Sequence, residues 1–540
     1  MPRLVARTAL AAALAAACAS PPPPPAAAPA PVPAPVAPPK RPEAASRPVL
    51  PPVPAVDGPL DIKVVYPERR QFITSRDSNF IFGSIGNGKA TLTIDGQPAR
   101  VYPNGAFMAW VANPPFDAPR YSLEAVLGAD TVRTTQEVRV RDPHPAPTRT
   151  DSVKAGIDSA SGVVIVAAPR PAFSDTDDVI SGRPRANETY HWFLMPGTRL
   201  ERTGTFNGFT RVRLDSGLQV WLLSSDVRAA DSTQRVTTRV AGDARIVSAV
   251  EWADFVLPMP ERPAYFVDEG DHTLTLTLYG TRGNTDLVHY ATDDSLIRRV
   301  QWEQVSDDRA RYTLHLSSAP FGYLVLWEPG RLVLRVRRPP VVDAAHPLRG
   351  ITVAVDAGHP PIGARGPTGL WEPDATLPIA ERLQRMLEAD GAHVVMTRTS
   401  PDPVTLQERP VIARRDDAQA FVSIHLNAWP DGVNPFTTPA GTATYFYYGQ
   451  SEPMARAVQQ RLVRNLGLPD DGIYFRSLAV VRGTWMPSIL CEGAFVIMPD
   501  QEAALRTPQF QEAYARGILQ GLEAYFRGFA RDTHAGGGTR

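Results

Sequence analysis

The sequence predicts a multidomain protein in which a C-terminal α/β domain with a mostly parallel sheet follows all-β domains, a sandwich and a small barrel. Three observations carry this expectation. Over residues 349–528, β-branched runs of strand length alternate with segments whose apolar residues recur with helical period, the pattern of βαβ units. Over residues 60–340, short alternating runs are divided by Gly, Asn, Asp and Pro turns. Before residue 60, a proline and alanine tract offers no alternation from which a core could be built. The 540 residues, 43% of them hydrophobic, are enough for several cores, and no 18-residue apolar run is present to cross a bilayer. Lysine plus arginine and aspartate plus glutamate balance at 56 each, so no net field draws the chain to nucleic acid.

The elements follow in chain order. Residues 1–19 read as a secretory signal peptide, because Arg3 and Arg7 precede the run ALAAALAAACA, which is too short to span a membrane. Ala15, Ala16 and Ala17 ahead of Cys18 resemble a bacterial lipoprotein cleavage box, with Leu14 one position earlier than usual; ordinary cleavage after Ala19 is the alternative. Residues 20–59 form a linker holding 17 of the 55 prolines. As an extended polyproline segment, its 40 residues reach on the order of 120 Å.

The first β region, 60–142, has strand-like runs at 61–67, 79–85, 90–96, 105–111, 121–127 and 134–142, and resembles an Ig-like sandwich. The second, 185–230, resembles an SH3-like barrel, including its ending at Gly217 and Trp221; it is either a wall-peptide binder or a packed barrel without retained binding. The third, 243–340, has runs at 273–279, 311–316, 323–327 and 331–336. The segment RRPPVVDAAHP, 337–347, marks the boundary to the last domain.

In that domain ITVAV (351–355) and AFVSI (420–424) read as buried strands whose carboxyl ends deliver His359 and His425. SIL (488–490), after Pro487, leads into Glu492 in the same way. Between them, Ile379, Leu383, Met386 and Leu387, and later Met454, Val458, Leu462 and Leu466, recur with helical period. Ligands of such sheets gather beyond the carboxyl ends of the strands. His359, Glu372 and His425 can supply the three N/O ligands of a catalytic zinc, and Glu492 a carboxylate that is not a ligand and serves as base. A histidine at a strand end is usually structural. His359 and His425 differ from the other eight in falling within matching motifs; His393 alternates in a strand, and His144, His191, His272, His289, His315, His346 and His534 have no partner pattern. Glu381, Glu388 and Glu408 read as solvated helix residues. Asp356 either orients the His359 ring or caps the loop, and Cys491 reads as a buried, unpaired strand residue.

Taken together, the D-x-G-H ending at His359, Gly366-x-x-Gly369-x-x-Glu372, Thr397-Arg398, Leu406-x-x-Arg409, SIHLNA (423–428) and the stretch from Pro487 to Phe495 resemble the zinc-dependent N-acetylmuramoyl-L-alanine amidases of the type 3 class. The resemblance covers 349–528 and implies a Glu-His-His zinc site with a glutamate base. It also implies hydrolysis of the amide between muramic acid and the stem peptide of peptidoglycan. In this light the 243–340 region is similar to the AMIN-like modules that precede some amidases. Two positions depart from the family pattern: Pro360 and Pro361 stand where glycines usually follow the first histidine, and Ala357 replaces a proline. The expected protein is an exported, monomeric enzyme of the bacterial cell envelope (periplasm). It has peptidoglycan as partner, no nucleic acid, and no membrane contact except a lipid anchor if Cys18 is acylated. The alternatives are an inactive peptidoglycan-binding protein, or a zinc deacetylase or peptidase on the same polymer. Only WPDGVNPFTTPA (429–440) separates SIHLNA from the next strand, and its prolines and glycine argue against the helix that plugs the zinc site in some members of the family. The domain 349–528 is therefore expected to act without an activator.

Overall fold

Apolar alternation and turn chemistry build the N-terminal β regions largely where the sequence places them. The computed structural model describes residues 50–142, 161–167, 180–231 and 233–530. The signal-peptide segment with Cys18, most of the linker, His144 and His534 lie outside the described residues.

The first domain is a seven-stranded arrangement whose strands pair in the order 63–66, 78–84, 106–112, 97–101, 91–94, 120–127, 130–137. The run expected as one strand through residue 96 ends at Ile94, and Asp95 (φ 51°) and Gly96 (φ 79°) turn the chain into a hairpin partner, Gln97–Val101. An Asp-Gly pair with both φ positive is the two-residue turn that matches strand twist. In the second β region the sheet takes in Gly162–Val166, upstream of the expected boundary at 185, which pairs with both Arg199–Phe206 and Val227–Ala229. The third region packs a five-stranded sheet against a four-stranded one around Phe255, Leu276, Tyr312 and Leu334.

The C-terminal domain has a six-stranded sheet. Its strands are β1 (Thr352–Ala357), β2 (His393–Met396), β3 (Ala420–Asn427), β4 (Thr442–Phe446), β5 (Asp470–Phe475) and β6 (Ser488–Phe495), in the spatial order β2-β1-β3-β6-β4-β5. Only the β6–β4 pairing is antiparallel, which meets the expectation of a mostly parallel sheet. Its helices are α1 (Glu372–Ala389), α2 (Glu408–Arg415), α3 (Glu452–Leu466), α4 (Pro499–Leu505) and α5 (Pro508–Arg527). Side chains alternate across the sheet. Val353, Val355, Val422, Ile424, Ile489 and Cys491 meet α1, α3 and α5 on one face. Ala354, Phe421 and Leu490 meet Ala413 of α2, Trp485 and Leu324 of the third β region on the other. Helices α3 and α5 approach closely because residue 521 is glycine: a Cβ there would lie 2.4 Å from Val458 Cα.

The β domains are built into this core. Arg337, 4% exposed, donates to the carbonyls of Ala418 (2.6 Å) and Asp417 (2.9 Å) and lies over the Trp485 ring. Phe80, Phe82 and Met108 of the first domain belong to the same apolar cluster as the helices of the C-terminal domain. Burying each such side chain contributes about 1.5–3 kcal/mol.

Candidate active site

The sheet brings the four expected residues to one end. β3 and β6 run parallel with His425 opposite Glu492, so both side chains leave the same face of the sheet at the carboxyl ends of neighbouring strands. β1 ends at Ala357, and Gly358 lets the chain pass beside β3; a Cβ on Gly358 would lie 2.6 Å from His425 Nε2 and from the Ile424 carbonyl oxygen. His359 follows at φ 56°, the left-handed region that non-glycine residues seldom occupy. Glu372 is the first residue of α1, where a carboxylate is favoured by the unsatisfied N–H groups of the helix start.

Glu372 joins the two histidines. Its Oε2 lies 3.2 Å from His359 Nε2 and its Oε1 3.1 Å from His425 Nδ1, and one donor atom from each residue falls within 4.8 Å of the others. The backbone N–H groups of Ala364 and Leu426 also donate to this carboxylate, at 3.1 and 3.0 Å. Burial alone would raise its pKa, but the hydrogen bonds to His359 and His425 outweigh burial and hold it well below the usual carboxylate range. For His425, burial works against the cation, while the Glu372 hydrogen bond and charge push its pKa up. Glu492 is outside this trio. Burial pushes its carboxyl up, the nearby His425 works against that, and its Oε2 has no hydrogen-bond partner among the described residues. Two imidazoles and a carboxylate converging on one point suit a zinc ion, and the separate, unpartnered carboxylate suits a proton acceptor.

The residues that hold the site were only partly foreseen. Asp356, fully buried, accepts from Thr397 Oγ1 (2.5 Å), Ser423 Oγ (2.5 Å) and Arg409 Nη1 (2.6 Å). It therefore anchors the loop through Arg409 and does not orient the His359 ring, which settles the two readings of Asp356. Arg409 also donates to the carbonyls of Ala357 (2.8 Å) and His359 (3.0 Å). Pro360 and Pro361 offer no N–H, and it is the carbonyls on this stretch that the guanidinium gathers. Arg398 donates to the Ala357 and Gly358 carbonyls from the other side. Glu502 was missed: its carboxylate accepts from Thr368 N (2.9 Å) and Leu370 N (3.0 Å), and a Cβ on Gly366 would lie 2.5 Å from it. Tyr514 was missed as well; its hydroxyl donates to the Cys491 carbonyl (2.8 Å) and accepts from Gly493 N (2.7 Å), behind the strand end that carries Glu492. The one signal for Glu502 was an acidic residue near a helix start, which ordinarily reads as a cap. Cys491 is buried and unpaired as expected.

A family profile described as N-acetylmuramoyl-L-alanine amidase matches residues 352–524. YqiI of Bacillus subtilis, of uncharacterised function, is 34% identical over 209 residues, which cover 37% of this chain and 98% of that protein. The chain belongs to the N-acetylmuramoyl-L-alanine amidase family. The amidase LytC of Bacillus subtilis is 33% identical over 188 residues, 34% of this chain and 37% of its own length. Among solved structures, N-acetylmuramoyl-L-alanine amidase AmiC2 of Nostoc punctiforme is 32% identical, with 32% of this chain and 96% of that one covered and a TM-score of 0.30.

The amidase domain is not solitary at its active end. Residues 429–440 form turns without a helix, in line with the short-loop expectation. Asp431 in this loop accepts from Thr74 N (2.7 Å), Thr74 Oγ1 (2.9 Å), Asn79 Nδ2 (2.8 Å) and the Tyr66 hydroxyl of the first β domain. Tyr66, Phe80 and Phe82 stack there and face Gly363, Ala364 and Trp429 of the amidase domain across a cavity of about 400 Å³. The first β domain thus forms a wall beside the loops that carry the site.

Proposed function

We propose that the amidase domain is a zinc-dependent hydrolase that cuts the amide between muramic acid and the stem peptide of peptidoglycan. The observation that carries this reading is the Glu372 carboxylate shared by His359 and His425, with Glu492 opposite His425 on the next strand and its Oε2 without a hydrogen-bond partner among the described residues. His359, Glu372 and His425 would hold the ion. When bound, zinc supplies Lewis acidity, lowering the pKa of water toward about 7 and polarising the scissile carbonyl. The protein's part is positioning and proton transfer. Glu492 takes a proton from the attacking water and returns it to the departing amine nitrogen, so that one carboxyl serves both halves of the reaction. Its burial favours the protonated form that the second half requires. Glu372 keeps the two imidazoles in place, and Asp356 with Arg409 keeps the His359 loop from relaxing.

The remaining elements give this activity an address. Residues 1–19 are proposed to direct export, Cys18 to carry a lipid anchor, and the proline linker to span from the membrane to the wall. The SH3-like and AMIN-like regions are proposed as envelope-binding modules, and the chain as a monomer. Among the described residues no helix is long and apolar enough to cross a membrane.

Mass spectrometry of muropeptides after digestion with the chain lacking residues 1–19 tests the reaction. An amidase releases free stem peptides and intact glycan. Peptides shortened but still joined to sugar would point to a peptidase, loss of acetyl groups to a deacetylase, and an unchanged polymer to a binding protein.

A further inference from the structure

A second cavity, of about 790 Å³, lies where the SH3-like region, the AMIN-like region and the amidase domain meet. Phe421 and Ser488, which line it, stand near the amino ends of β3 and β6, whereas His425 and Glu492 are four residues further along the same strands. At about 3.3 Å per residue this separates the cavity from the metal ligands by roughly 13 Å of sheet. It is therefore a different site. Its volume is in the range of small-ligand sites, which favour domain junctions.

Its lining carries a carboxylate oxygen and a guanidinium nitrogen that lack hydrogen-bond partners among the described residues. Glu269 Oε2 accepts from Gln450 N at 2.8 Å, but Oε1 has no hydrogen-bond partner among the described residues. Burial pushes this carboxyl up to about 7, against the hydrogen bonds from the Gln450 backbone, the Tyr323 hydroxyl and the Gly449 backbone. A buried acceptor left in this condition costs about 1–3 kcal/mol, more for a charged one. On the amidase wall, Arg482 lies 4.7 Å from the Tyr190 ring centroid, and its Nε has no hydrogen-bond partner among the described residues. Aromatic rings, Phe193 and Tyr447 among them, line the space with these two groups. A carboxylate wanting a cation, a guanidinium wanting an anion and aromatic walls describe a ligand that is itself zwitterionic.

We infer that this cavity binds a short zwitterionic peptide, with an ammonium group on Glu269 and a carboxylate on Arg482. The identity of that peptide rests on the proposed reaction, which frees a stem peptide with a new amino terminus and its carboxylates intact.

Titration calorimetry on the chain lacking residues 1–19 tests the inference. The probe is the synthetic tripeptide L-alanyl-γ-D-glutamyl-L-lysine, alongside its Nα-acetylated and its carboxyl-amidated forms. One binding site is expected for the parent peptide, weakened at least tenfold by either modification and by Glu269→Gln or Arg482→Met. Because a substitution at a domain junction can disturb packing, the two modified peptides measured on the unaltered protein decide the matter independently. Absence of binding by the parent peptide, or affinity indifferent to acetylation and amidation, would overturn the assignment. The tripeptide contains no muramic acid and is not turned over, so binding without release of stem peptides from the wall would sink the proposed reaction and leave the cavity site standing.

Discussion

Arg409→Met removes the group that ties the His359 loop to the sheet. Arg409 is 1% exposed and Asp356 fully buried, and their ion pair is 2.6 Å long. The same guanidinium reaches the carbonyls of Ala357, His359 and Val404 at 2.8, 3.0 and 3.0 Å. Without it, the Asp356 carboxylate keeps only the hydroxyls of Thr397 and Ser423. Removing one partner of a buried pair costs about 3–5 kcal/mol, a large share of a total stability of about 5–15 kcal/mol. The loop also loses its hold on the His359 carbonyl, and loss of a group that orients a metal ligand weakens metal binding by about 10 to 100-fold. Urea denaturation and a zinc competition titration read the two effects separately. Arg409→Lys sharpens the test: its ammonium can keep the ion pair, but it lacks the planar fork that serves several carbonyls together. Most of the stability is expected to return with lysine and little of the zinc affinity. A methionine variant within about 1 kcal/mol of wild type would refute the argument, as would lysine restoring full zinc affinity.

His359→Ala or His425→Ala should each abolish zinc binding, since two protein ligands remain; elemental analysis finding full occupancy in either variant would remove that residue from the ligand set. Glu492→Gln should keep zinc and lose about 100 to 10,000-fold in peptidoglycan hydrolysis, because an amide cannot accept the proton; wild-type turnover would end its role as base. The domain 349–528 alone is expected to digest peptidoglycan without an activator, but to melt at a lower temperature than the whole chain because it lacks Arg337, Phe80 and Phe82. A zinc-loaded domain that stayed inert until a partner was added would contradict the short-loop argument. The Glu269 carboxyl, raised from 4.5 to about 7, holds its proton in the folded protein where the unfolded chain has lost it. Its contribution is therefore complete below about pH 4.5 and lost as the pH rises toward 7. Melting temperatures from pH 4 to 8 should fall less steeply for Glu269→Gln, and parallel curves would contradict this.

What the sequence determined by itself was local. Strand runs leading to His359, His425 and Glu492 are patterns of a few residues, and their order in a βαβ alternation is enough to place these three at the carboxyl ends of the strands, whereas Glu372 was legible only as the end of the Gly366-x-x-Gly369-x-x-Glu372 motif. The Asp95-Gly96 hairpin was not read from the sequence, where 90–96 stood as a single strand. What the tertiary structure decided is who holds these residues and what stands beside them. Glu502 meets Thr368 across 134 positions, Asn79 meets Asp431 across 352, and Glu269 meets Gln450 across 181. None of these pairs has a periodic signature, because each partner satisfies its own local pattern as a helix start, a turn or a strand end. A buried polar group requires a partner but does not specify where in the chain that partner lies, so only the packing of one domain on another could say that Asp431 finds the first β domain and that one oxygen of Glu269 has no hydrogen-bond partner among the described residues.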